Sequence, residues 1–165
     1  MRMALSATLV AALLAMPVSA SAASEAEFLE ALSGTWTGGG SIRLKPEDNP
    51  VDVNCELSSD AAATSVSMDG NCNAMIIMSR AIGADLNVDG SSYSGTYTGS
   101  SRGPATLAGT RQGDTVNLAV SWTETGREAS MQLSSSGDAL QIVTTEAHPD
   151  TGEQVVTAQL SFQRQ

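Results

Sequence analysis

From Thr35 onward the apolar residues of this chain recur at every second position, and Gly, Pro, Asn or Asp interrupts the alternation every ten to fifteen residues or so. A period of two belongs to a β-strand with one face buried, because successive side chains point to opposite faces. Val116, Leu118, Val120 and Trp122 form the cleanest run, while Val51, Val53, Cys55 and Leu57 share a face in an earlier segment, as do Val66, Met68 and Cys72 in the next. The fourth segment places Ile76, Met78, Arg80, Ile82, Ala84, Leu86 and Val88 on one side. Asp89-Gly90, Gly113-Asp114, Gly137-Asp138 and the Pro149-Asp150-Thr151-Gly152 stretch supply hairpin turns. About ten strands follow, with no helix-period segment among them, and successive hairpins specify an all-β, antiparallel up-and-down β-barrel, with a β-sandwich as the alternative.

Strand one carries Trp36, Ile42 and Leu44 on one parity, with Gly38 and Gly40 between them, and the Pro46 to Pro50 stretch ends it. Gly95, Ala105, Gly109 and Ala129 are further small residues at inward positions, able either to leave a cavity or to let backbones approach closely. The last two strands are expected around Leu140 to Glu146 and Gln154 to Arg164. Ahead of the strands, Ser24 and Glu27 form a capping box, and Phe28, Leu29 and Leu32 make one apolar stripe before Gly34. One short N-terminal helix is expected there.

The first residues read as an export signal. Arg2 is a basic n-region, Met3 to Met16 is a run of Ala, Leu, Val and Met, and Ala20-Ser21-Ala22 offers a small-x-small cleavage site. The expected organisation is a signal peptide over residues 1–22 and a single barrel domain over residues 23–165, located in the periplasm or secreted. No cysteine sits near the cleavage region, and no other apolar run approaches the roughly 20 residues of a membrane-spanning helix, so an integral membrane protein is not expected.

The formal net charge is -10, from 8 basic and 18 acidic residues, and Lys45 is the only lysine. No basic stripe can be assembled, which excludes nucleic acid as an expected partner. The two cysteines, Cys55 and Cys72, should pair in an oxidising compartment. Both lie on apolar faces of strands that pair as a hairpin, so the bridge would staple that hairpin from its core side.

Gly34-Thr35-Trp36, just after a short helix and opening the first strand, resembles the G-x-W signature of the calycin superfamily of lipocalins and fatty-acid-binding proteins. Arg164, in the last strand, matches that superfamily's basic side chain over the tryptophan. The resemblance implies a barrel closed at one end by Trp36, with the Arg164 guanidinium stacked on the indole. The opening Gly34 to Gly40, one disulfide and Gly/Ser-rich strands are also similar to small exported bacterial proteins of no assigned function. Bacterial metalloprotease-inhibitor barrels compare in size and disulfide content, but the cysteine spacing and downstream sequence depart from theirs.

Catalytic and metal patterns do not survive their context. Gly99-Ser100-Ser101-Arg102-Gly103 satisfies the G-x-S-x-G pattern, yet Pro104 and a strand follow where a nucleophile elbow needs a helix. Asp85-x-Asn87-x-Asp89-Gly90 matches half of a calcium loop, but Thr96 stands where the bidentate acid belongs, leaving weak calcium binding as the most this stretch supports. His148 is the only histidine and lies in a polar turn, without the partners a triad needs. Glu25 with Glu27 and Glu124 with Glu128 read as solvated charges rather than a glycosidase pair.

Arg80 is the odd residue on an apolar face. A buried guanidinium requires a partner, and in a ligand-binding barrel the carboxylate of a bound lipid is one candidate; a β-bulge, an end-of-sheet position or an internal acid partner accounts for the same residue. The reading is a non-enzymatic barrel, without metal or cofactor, that holds a small apolar or amphiphilic ligand against Arg80, Met78, Ile82, Leu118 and Val120. The alternative is a cell-envelope interaction, structural or protease-inhibitor-like module with a protein partner and no small ligand. Mass spectrometry of the exported protein should show cleavage near Ala20 or Ala22. A full-length, membrane-anchored product would contradict the export signal.

Overall fold

The computed structural model describes residues 24–75 and 78–165. The proposed leader and Ile76, assigned by the alternation to the fourth strand's inward face, lie outside those residues. Helix α1 (Glu25–Leu32) precedes ten strands: β1 (Gly34–Ile42), β2 (Val51–Ala62), β3 (Ser65–Ala74), β4 (Met78–Asp89), β5 (Ser92–Thr98), β6 (Ala105–Gln112), β7 (Thr115–Trp122), β8 (Arg127–Ser136), β9 (Ala139–Ala147) and β10 (Gln154–Arg164). Each strand pairs antiparallel with its sequence neighbours, and β10 returns to β1, closing the barrel. The closing register runs from Trp36 opposite Arg164 to Ile42 opposite Ala158. A barrel rather than a sandwich results, and no strand keeps an unpaired edge.

Closure requires strongly coiled strands, and inward glycines supply the coiling. A Cβ on Gly95 would lie 1.8 Å from the Asp85 carbonyl oxygen, and one on Gly109 would lie 1.8 Å from that of Asn117. Their role is close backbone approach, since neither borders the interior cavity described below. One irregularity breaks the alternation: the β10 to β9 register shifts between Val156 and Ala158. The bulge turns Thr157 inward, where it is buried, and leaves Val156 exposed.

The end of the barrel where β1 begins is sealed by α1. Ser24 accepts from the Glu27 backbone N–H and Glu27 accepts from that of Ser24, so the sequence-predicted capping box forms and starts the helix. Phe28, Leu29 and Leu32 point into the barrel and are buried. Leu32 ends the helix with its carbonyl accepting a 3.1 Å bond from the indole Nε1 of Trp36, which is itself fully buried. The Arg164 guanidinium carbon sits 4.2 Å from the centre of the Trp36 ring. That guanidinium also donates to the Ala31 carbonyl at 2.6 Å and to the Ser33 carbonyl, satisfying the helix's terminal acceptors.

The helix start is pinned as firmly. Glu25 accepts from the Tyr93 hydroxyl at 2.6 Å and from Arg111 Nε at 2.9 Å, while the Arg111 guanidinium carbon lies 4.7 Å from the centre of the Phe28 ring. Burial first, and the Glu25 carboxylate second, hold the Tyr93 phenol above its ordinary value.

Cys55 and Cys72 stand directly opposite each other in β2 and β3, face the interior, and form the disulfide with a Cα–Cα distance of 4.1 Å. The bridge spans 17 positions of sequence, so Cys55→Ser should cost about 3 kcal/mol by the loop-entropy estimate, read as a lower denaturant midpoint. An unchanged midpoint would show that the bridge does not constrain the unfolded chain. A second expectation concerns alkaline pH. The unfolded chain releases the Tyr93 proton near the ordinary value of 10.0 while the folded chain retains it, so this contribution is full below that pH and shrinks as pH rises above it. Stability should therefore fall above about pH 10 more steeply in the wild type than in Tyr93→Phe; parallel slopes would refute the assignment.

Candidate functional site: an open-mouthed interior cavity

The largest side chains are packed unevenly along the barrel. Trp36, Tyr93, Phe162 and Leu140 are fully buried and none of them borders the cavity. Toward the opposite end, where β1 finishes and β2 and β4 begin, medium-sized side chains leave a cavity of about 490 Å³. Its deeper wall includes Leu107, Leu118, Val120, Met131, Leu133 and Ile142. The mouth lies among the loops 43–50, 99–104, 123–126 and 148–153.

All five residues expected to meet a ligand border this cavity: Met78, Arg80 and Ile82 from β4, and Leu118 and Val120 from β7. Their environments differ from the expectation at one point. Arg80, read either as a buried guanidinium in need of a partner or as an end-of-sheet residue, is exposed at the end of the sheet and so is no buried partner for a lipid carboxylate. The reason is its height in the barrel, because β4 starts at the mouth and its first residues form the rim. Met78 is likewise 46% exposed, Ile82 is half-buried, and Leu118 and Val120 are fully inside. Arg80 Nη1 donates to the Gly99 carbonyl at 3.2 Å, and solvent serves its remaining donors without any carboxylate partner among the described residues.

Sequence reasoning missed a polar group at the same mouth. Glu146, near the end of β9, is 5% exposed. It accepts from Arg102 Nη1 at 3.1 Å and from Arg127 Nη2 at 3.3 Å. A carboxylate at that depth is tolerable because two guanidinium groups bracket it. The Arg102 guanidinium carbon lies 5.0 Å from the centre of the Trp122 ring, and Trp122 Nε1 donates to the Gly103 carbonyl at 3.2 Å. Together with the Arg80 bond to Gly99, these contacts tie the 99–104 loop to three strands across the mouth. Tyr97 borders the cavity beside them, and burial raises its phenol pKa, an effect that the Arg80 charge partly offsets. The inward parity of Leu140, Thr144 and Glu146 was available as a signal for Glu146; nothing local marks Arg102.

The remaining candidates do not converge. Asp85, Asn87 and Asp89 occupy alternate, exposed positions of the extended strand β4, about 7 Å apart along it, and Asp85 accepts from Ser67 Oγ at 2.6 Å. They form no loop around a cation. Among the described residues no group of three or more His, Cys, Asp or Glu could hold a metal. Ser101 is an exposed residue of the 99–104 loop, followed by β6 rather than a helix. The exposed turn of His148 is fixed by its Nδ1 accepting from the Asp150 N–H at 3.2 Å. Glu25 and Glu27 serve the helix cap and the Tyr93 contact, and Glu124 and Glu128 are exposed.

No protein-family model matches the chain, and no curated protein matches it in sequence. Solved structures do match in shape. Rv2717c from M. tuberculosis is similar with a TM-score of 0.66 and 16% identity, covering 88% of this chain and 99% of that one. The S-type phycobiliprotein lyase CPES from Guillardia theta is similar with a TM-score of 0.59 and 18% identity, covering 87% of this chain and 93% of that one. At such identities the likeness concerns the fold alone: the chain is an antiparallel, closed ten-strand barrel, a shape it shares with these two structures.

Proposed function

We propose that this is an exported, non-enzymatic binding protein that holds one small apolar or amphiphilic ligand inside the barrel. The observation that carries the reading is the cavity of about 490 Å³, lined mostly by apolar side chains and lying toward the end of the barrel away from α1. Ligand sites are typically concave, about 300–1,000 Å³, and mostly apolar, with a few polar groups at defined places. Met78, Ile82, Leu118 and Val120 supply apolar contacts here, and Arg80, Tyr97 and Thr144 the polar ones. The resemblance in fold to a phycobiliprotein lyase agrees with a ligand-holding barrel. The Cys55–Cys72 disulfide accords with an oxidising compartment outside the cytoplasm.

One observation favours the second reading, a module that docks a protein of the cell envelope. The exposed large hydrophobic residues Leu44, Met75, Met78 and Val156 all lie toward the mouth end of their strands or loops. Such a rim is also what a carrier presents to a donor or acceptor, so the cavity decides between the two.

Titration with the neutral fluorophore N-phenyl-1-naphthylamine tests the carrier reading. One probe per chain should bind, with an affinity on the order of micromolar. Ala84→Trp, which places an indole into the cavity from β4, should weaken binding at least about tenfold while the β-sheet circular dichroism is retained. A wild type that takes up no probe, or an Ala84→Trp variant that binds unchanged, would replace the carrier by the docking module.

A further inference from the structure

We propose that Met75 and Met78 form an oxidation site at the mouth of the barrel, where a peroxide converts their thioethers to sulfoxides, makes the apolar entrance polar and lowers ligand uptake. The modification is independent of the carrier reading; its effect on uptake rests on that reading.

Methionine is distributed unevenly in the fold. Met68, Met75, Met78 and Met131 are the methionines of the described residues, and each lies on the cavity or at its rim. Met68 and Met131 belong to the wall, where Met68 is 6% exposed and Met131 is partly buried. Met75 and Met78 stand at the two ends of the connection between β3 and β4, and they are 70% and 46% exposed. The Met75 backbone has a φ of 52°, in the left-handed region that glycine and asparagine occupy at lower cost. That position rewards neither the packing of an apolar side chain nor the backbone preference of a methionine. What a methionine does offer there is a flexible, polarizable sulfur open to solvent.

The chemistry is a transfer of one oxygen atom. A sulfur lone pair attacks one oxygen of the peroxide, the O–O bond breaks, and the other oxygen leaves as hydroxide and is protonated to water. Sulfur is oxidised by two electrons and the peroxide is reduced by the same two. Susceptibility follows exposure, so the rim pair reacts before the wall pair. Each sulfoxide replaces an apolar group by a dipolar one with an acceptor oxygen. Met78 borders the cavity, and Arg80, the next residue on its face of β4, gives Gly99 one N–H and has others left for that oxygen. An apolar ligand entering the oxidised barrel must then pass a hydrated polar rim, where the reduced rim offers it apolar contact.

Peptide mass spectrometry of the purified, disulfide-bonded protein treated with hydrogen peroxide reads the site directly. Met75 and Met78 should each gain one oxygen at least about tenfold faster than Met68, with Met131 between them. The protein oxidised at the rim, its β-sheet circular dichroism retained, should bind N-phenyl-1-naphthylamine at least about threefold more weakly than before treatment. A Met75→Leu, Met78→Leu double variant keeps an apolar rim without sulfur, and after the same treatment it should retain the affinity it had before. Oxidation of Met68 as fast as that of the rim pair overturns the site. An oxidised wild type with unchanged affinity, or a leucine variant that loses affinity equally, overturns the effect on uptake. If the untreated wild type binds no probe, the carrier reading falls and the effect on uptake with it, while the peptide rates still decide the site.

Discussion

Closure of the barrel by β1 and β10 is the constraint on which the other features depend. Until the last strand returns to the first, the sheet has two edges and no inside; afterwards every strand has a buried and a solvated face. The contact at the end of that seam is unusually dense. Arg164 lies across the strand pair from Trp36, stacks on its ring, and reaches past it to the last carbonyls of α1, so one side chain links the first strand, the last strand and the helix. Removing its charge would leave a buried indole face and helix carbonyls without a partner together, which is why such a contact resists piecemeal change.

The base and the mouth then divide the work of the fold. Stacked and hydrogen-bonded groups fill the base: Trp36 with Arg164, Phe28 with Arg111, Glu25 with Tyr93. Among the described residues no helix lies across the mouth. Its order comes from the bracketed Glu146 and from the 99–104 loop fastened to Trp122 and Arg80.

Much of this architecture was legible in the sequence, and what escaped has a common cause. Alternation reports which face of a strand a residue occupies, and it correctly placed Cys55 and Cys72 inward, where the bridge expected of the two cysteines in an oxidising compartment forms. It does not report height along the strand. Arg80 shares a face with Leu86 and Val88, which are buried, yet lies at the rim because β4 begins two residues before it. Glu146 was overlooked for the converse reason: a charged residue at the end of an alternating run reads as solvated, and its two arginines come from β8 and from a loop far away in sequence. Thr157 was hidden by a bulge, since one extra residue reverses the parity of everything before it.

The disulfide contributes more than a staple, because Cys72 forms part of the cavity wall. Thiol–disulfide exchange needs a thiolate to approach one sulfur of the pair, and access governs its rate. The outer face of β2 and β3 shields this bridge, so a small reductant must reach it through the mouth and past Arg80, the residue opposite Cys72. Were the proposed ligand bound, it would shield its own cross-link, and an empty interior would leave the bridge open to reduction.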